Sequence, residues 1–262
     1  MSWLFHAKKE EHAALHRRLL MNSFAFCGWF NDRTPIDLDF ARAYADKAMA
    51  LDEKADADVV PVPEHSTVEG GKSAAVVALQ LLKRNRNIRY AKRSGRMPPS
   101  VMMARFSGDA AVPGSSISGA LDAIVGVALA TLEAADKRGE IADVRNPMCS
   151  DDRFTDRWPE NLAAQRTYIQ DLKLFRNQLA DLMSDHLTLD QKRALLVEMF
   201  GEGPAQLVVE DYAASLGQAI QSGQRIISGS GRVIPVTAPA IVSASPTQAR
   251  PHTFYGSRWR KD

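Results

Sequence analysis

Cysteine is scarce in this chain: Cys27 and Cys149 are the only two among 262 residues. Two thiols so placed offer no metal-type spacing and no disulfide framework, a usage that suits a reducing cytoplasm. Aromatic residues make up only 7%, and neither charge sign dominates, with 33 basic against 31 acidic side chains and a formal net charge of +2. That balance excludes a molecule-wide field directed at nucleic acid or a membrane. No segment reads as long and pure enough to span a membrane. The N-terminus, Met1 to Glu10, puts its apolar residues before its charges, the reverse of a signal peptide. The expectation is a cytoplasmic protein with no membrane contact. Hydrophobic residues reach 45% and charged ones 24%, ordinary for one large domain with a buried core.

What is abundant is helical periodicity. Residues 7–20 carry Leu15, Leu19 and Leu20 among charges and predict an amphipathic helix. Residues 36–54 repeat Leu38, Phe40, Ala41, Tyr44, Ala48 and Leu51 at helical spacing, whereas Val59-Val60-Pro61-Val62-Pro63 predicts extended backbone. Further helices are expected over 72–87, from Ser100 onward, over 117–135, and over 160–184 with Tyr168, Ile169, Leu172, Phe175, Leu179 and Leu182 on one face. Thr188 followed by Gln191 reads as a helix start, with another helix running to about residue 221 after Gly201-Glu202-Gly203-Pro204. Residues 140–160 look irregular. Beyond residue 228 the chain turns rich in Ser, Pro, Ala and Thr, so the expected organisation is a helical domain over 1–228 and a disordered tail over 229–262. The fold class is mostly α with few strands.

The chemistry concentrates in one place. Lys83 to Arg96 holds seven basic side chains and no acidic one, and runs into Pro98-Pro99-Ser100. An apolar helix face, Leu79-Gln80-Leu81-Leu82, thus ends in Lys83, Arg84 and Arg86, and a new helix starts at Ser100. A lysine at one helix end can supply charge to a polyphosphate. A serine and the free N–H groups of the next helix start can supply directed donors. The bland alternative is a solvated basic loop between two core helices.

Other patterns lead nowhere. Gly70-Gly71-Lys72-Ser73 lacks the upstream glycine of a phosphate-binding loop, since Ser66 stands there. His12 and His16 are four apart, but Ala13 occupies the place of a zinc-protease glutamate. Asp56 and Asp58 could meet a magnesium ion only with a second acidic pair, and none is evident upstream. Cys27 sits among Phe24, Phe26, Trp29 and Phe30 and reads as a buried small hydrophobe rather than a nucleophile.

Four segments in order resemble one family. They are Asn22 to Arg33, with Gly28-Trp29-Phe30; Lys72 to Arg86, ending Leu81-Leu82-Lys83-Arg84-Asn85-Arg86; Pro98-Pro99-Ser100; and Arg145-Asn146-Pro147 followed by Asp152, Phe154, Arg157 and Trp158. Together they are similar to the helical C-terminal portion of the cGAS/DncV-like nucleotidyltransferases (CD-NTases), which make cyclic oligonucleotide signals in anti-phage (CBASS) defence. The resemblance implies the helical half of a nucleotidyltransferase-like fold that clamps the triphosphate of a donor nucleotide through Lys83 and Ser100, with Arg84 and Arg86 adding charge. It also implies that the ligand is a nucleoside triphosphate, with Mg2+ as its companion in a complete family member.

The family's metal-binding aspartates and Gly-Ser loop find no counterpart, so no catalytic and no metal-binding residue is assigned. The expectation is a truncated or partial enzyme, or alternatively a catalytically silent nucleotide-binding scaffold. A helical protein whose basic loop meets acidic partners or RNA is a third reading. The tail segment Phe254-Tyr255-Gly256 resembles family ends that engage a partner protein of the same operon. Apolar surface around Trp29 and Phe30, left without a catalytic sheet, predicts self-association.

Overall fold

The computed structural model describes residues 2–6, 17–54, 72–184, 186–227 and 233–235. His12, His16, Asp56, Asp58, the Val59–Pro63 stretch, Gly70, Gly71 and Phe254–Gly256 lie outside the described residues. The chain divides into two compact units, Met1–Leu207 and Val208–Asp262.

The first unit is built on a buried helix, α5 (Ile117–Lys137), whose Leu121, Ile124, Val125, Ala128, Leu129 and Leu132 recur at three- and four-residue steps and are all buried. Around it pack α3 (Ala74–Tyr90), α4 (Ser100–Ala110) and α6 (Leu162–Met183). Phe175 and Leu172 of α6 and Met102 and Met103 of α4 are at most 1% exposed in this core. Burial of such side chains stabilises by roughly 1.5–3 kcal/mol each. By length and composition α5 could cross a membrane, a correction to the expectation that no segment could. Here its apolar face is occupied by three neighbouring helices.

Helix ends follow local rules. Ser73, Ser116 and Asn161 cap α3, α5 and α6 by accepting from the N–H three residues on. Thr188 and Gln191 form the reciprocal capping box of α7 (Leu189–Phe200), which packs on α3 and α6. Glu202–Gln221 forms α8. The helix expected from residue 36 is α2 (Leu38–Lys54), with Asp37 Oδ1 accepting from the N–H of Phe40 at 3.0 Å.

Three further expectations need correction. Arg17–Met21 is a strand (β2) paired antiparallel with Ser2–His6 (β1), Leu4 opposite Leu19, and not the end of a helix over 7–20. Leucine suits both states, and pairing with a distant strand decides between them. Cys27 is exposed, because Ser23–Arg33 forms a helix (α1) that turns Phe26 into the core and Cys27 away from it, with Phe24 at 90% exposure. The irregular 140–160 region contains a hairpin, β3 (Arg145–Asn146) with β4 (Cys149–Arg153).

In the second unit, β5 (Arg225–Ile227) pairs antiparallel with β6 (Val233–Pro235) across the expected tail boundary.

Trp29 and Phe30 are half-buried against the core. Trp29 stacks on Phe26 at 5.5 Å, and Phe26 meets Phe154 edge-on at 4.9 Å.

Candidate functional site

The basic run fills the last half of α3 and the loop into α4, and most of its charge is engaged inside the fold. Arg84 Nε donates to the carbonyl of Phe200, and Asn85 Nδ2 donates to the carbonyl of Met199 at 2.9 Å. The pair closes the C-terminal end of α7, where helical carbonyls lack partners. Arg89 donates to Asn85 Oδ1 at 3.0 Å and to Gln178 Oε1 on α6 at 2.7 Å. Arg93 grips Asp171 of α6 in a fork, Nη2 to Oδ1 at 2.9 Å, with its guanidinium 4.9 Å from the Tyr90 ring centre. Arg96 donates to the Arg157 carbonyl at 3.1 Å, and its N–H meets Glu160 Oε1 at 2.8 Å. Gly95, at φ 94°, makes the turn that brings this N–H to Glu160.

Arg86 differs from the rest. It is 7% exposed, and its Nη1 donates to the Pro98 carbonyl at 2.6 Å, to Ser100 Oγ at 3.1 Å and to Met103 Sδ at 3.4 Å. Its Nε and Nη2 both donate to Asn87 Oδ1, at 3.1 and 2.8 Å. Every one of these acceptors is neutral, and among the described residues no carboxylate pairs with Arg86. Burial is the main cause of its lowered pKa. An uncompensated buried cation is costly, and an anion nearby relieves it.

Lys83 stands one turn earlier on the same side of α3, half-buried, and has no hydrogen bond or ion pair with any described residue. Burial first, and the Arg86 charge second, hold its ammonium below the ordinary lysine range. Ser100 is exposed at the first position of α4. The N-cap of that helix is Pro99, which makes no side-chain cap bond, and the first helical bond runs from Met103 N to the Pro99 carbonyl. The N–H groups of the first turn have no partner among the described residues and can meet an anion.

Of the four expected site residues, Arg86 and Ser100 are joined by a hydrogen bond where α3 meets α4, and Lys83 stands one turn before Arg86 on α3. Arg84 does not join them. Two residues turn a helix by about 200°, so Arg84 faces α7 while Arg86 faces α4.

Sequence reasoning passed over Asn87, which braces Arg86, and read Tyr168 as core only. Tyr168 and Tyr90 line a cavity of about 10 Å³ beside Arg86, Arg89, Asn85 and Asp171, and the buried Tyr168 hydroxyl has no hydrogen-bond partner among the described residues. Such a volume holds about one water molecule. Burial pushes the Tyr90 phenol up to about 12, with Asp171 adding to the effect, and moves Tyr168 in the same direction.

The motif residues near 146–158 are structural. Asn146 Nδ2 donates to Asp152 Oδ2 at 2.9 Å and to the Asn22 carbonyl at 3.2 Å, tying the hairpin to the start of α1. Trp158 is 1% exposed and meets Tyr168 edge-on at 5.4 Å. Ser73 caps α3, and Lys72 Nζ stands 5.3 Å from the Tyr44 ring centre. Among the described residues no group of three His, Cys, Asp or Glu side chains could hold a metal ion.

No protein-family model matches the chain. The cyclic dinucleotide synthase CdnG of Bradyrhizobium diazoefficiens is 37% identical over 262 residues, which take in 97% of this chain and 62% of that protein. The solved structure of the Bradyrhizobium diazoefficiens CD-NTase CdnG in complex with GTP is similar with a TM-score of 0.63 at 34% identity, covering 78% of this chain and 60% of that chain. The chain therefore spans about three fifths of the length of the relative it matches.

Proposed function

We propose, from the premise that this chain is a member of the CD-NTase family over the portion it spans, that it binds the triphosphate of a donor nucleoside triphosphate between the end of α3 and the start of α4. Lys83 supplies a mobile positive charge, and Ser100 with the first N–H groups of α4 supplies directed donors. The observation that carries this reading is Arg86: a buried guanidinium bonded to Ser100 that, among the described residues, has no carboxylate partner and stands one turn from a lysine with none. Arg84 has no part in the site, since its Nε donates to the Phe200 carbonyl.

The synthesis of cyclic oligonucleotide second messengers in anti-phage defence is the activity proposed for a complete family member, in which the region matched here holds the donor nucleotide. In-line displacement at a phosphoryl group relies on magnesium ions held by carboxylates. The described residues do not fit that metal pair, so no chemical step is assigned to them. A second reading of the Arg86 and Ser100 arrangement is a nucleotide-binding scaffold without turnover. A nucleoside triphosphate ligand suits a cytoplasmic location.

The test is calorimetric titration of the chain with ATP and GTP. Lys83→Ala and Ser100→Ala are each expected to weaken binding about tenfold or more, with unchanged helical circular dichroism. Wild-type affinity in both variants would sink the assignment. Binding without cyclic product from the purified chain would select the scaffold reading.

A further inference from the structure

We propose that Asn87 and Arg86 form a positioning device that aims the Ser100 hydroxyl at an incoming phosphate; this inference rests on the donor-nucleotide reading above. A guanidinium is planar and carries donors only. One edge of Arg86, Nε with Nη2, is held by a single acceptor, Asn87 Oδ1, at 3.1 and 2.8 Å. With that edge held, the orientation of the opposite edge is set, and Nη1 reaches the Pro98 carbonyl at 2.6 Å and Ser100 Oγ at 3.1 Å.

The direction of the Ser100 proton follows. Because Arg86 has no lone pair to offer, Ser100 Oγ is the acceptor in that bond, and its own O–H must donate elsewhere. It is turned away from the cation, and Ser100 is exposed at the start of α4. A hydroxyl whose proton faces away from the cation, at the start of a helix, favours a ligand that presents acceptors, such as a phosphate oxygen. Asn87 and Arg86 act through Ser100 without touching the nucleotide; they are positioning residues.

A double-mutant cycle on the full chain, read as ATP and GTP affinity, separates this role from direct charge contact. Asn87→Ala changes an exposed residue of α3 and keeps the Arg86 charge; it is expected to weaken binding about three- to tenfold. Arg86→Lys keeps the charge but loses the fork, and is expected to cost about tenfold. Both losses should vanish in a Ser100→Ala background, where there is no hydroxyl left to aim. Losses that add to that of Ser100→Ala would mean direct contact and overturn the inference while leaving the nucleotide site standing. An Asn87→Ala chain with wild-type affinity would also overturn it. No triphosphate binding by the wild type would remove the nucleotide reading and this inference together. If Arg86→Lys fails to fold, as judged by its thermal melt, the Asn87–Ser100 cycle decides alone.

Discussion

The indole of Trp29 covers Gly108: a methyl group built on the Gly108 Cα would stand 2.5 Å from the Trp29 Cη2 atom and 2.6 Å from Cζ3. This close approach joins α1 to α4, and the guanidinium of Arg105 lies 5.2 Å from the same ring. Gly108→Ala should therefore destabilise the fold by about 1–3 kcal/mol through overpacking, outweighing the roughly 1 kcal/mol that alanine gains over glycine in a helix. Urea unfolding, followed by tryptophan fluorescence, checks it. A more stable variant would mean the indole yields freely.

Arg84→Ala removes the donor that closes the last carbonyls of α7. The expected loss is about 1–2 kcal/mol of stability, with triphosphate affinity unchanged. A large loss of affinity at wild-type stability would place Arg84 in the nucleotide site instead.

Asn146→Ala strips a buried donor from both the Asp152 carboxylate and the Asn22 carbonyl. Leaving those acceptors short of a partner should cost about 1–3 kcal/mol. The start of α1 should then exchange its amide hydrogens faster, while α5 and α6 keep their protection.

The tyrosines give a pH signature. Tyr90 is pushed up to about 12, first by burial and then by Asp171. The folded state holds this proton more tightly than the unfolded one, whose phenol ionises near 10. The associated stability is complete below pH 10 and is lost as pH rises toward 12. Alkaline absorbance titration should show a phenol resisting ionisation until about pH 12, and Tyr90→Phe should flatten the fall of stability in that window. Ordinary titration of all five tyrosines near pH 10 would overturn the burial of this cluster.

Much of the fold was legible because its signals are local. The Leu121, Ile124, Val125, Ala128 stripe specifies the buried face of α5, and Thr188 with Gln191 specifies the start of α7, each within a few residues of chain. Arg17–Met21 was not legible in this way, since Leu19 and Leu20 become strand only by pairing with Leu4 and Trp3. Cys27 misled for a related reason. Aromatic neighbours in sequence suggested burial, but α1 places Phe26 and Cys27 on different sides.

At the candidate site, chain order alone sets a basic helix end before a serine helix start, because Lys83, Arg86 and Ser100 lie close along the chain. How the charges divide depends on the packed fold. Arg84 finds its carbonyl 116 residues away on α7, Arg93 its carboxylate 78 residues away on α6, and Arg86 its serine only 14 residues on. The physical reason is that a hydrogen bond depends on which side of α3 each packing helix covers. Helical periodicity orders those sides around the axis, and the choice of neighbour belongs to the assembled core.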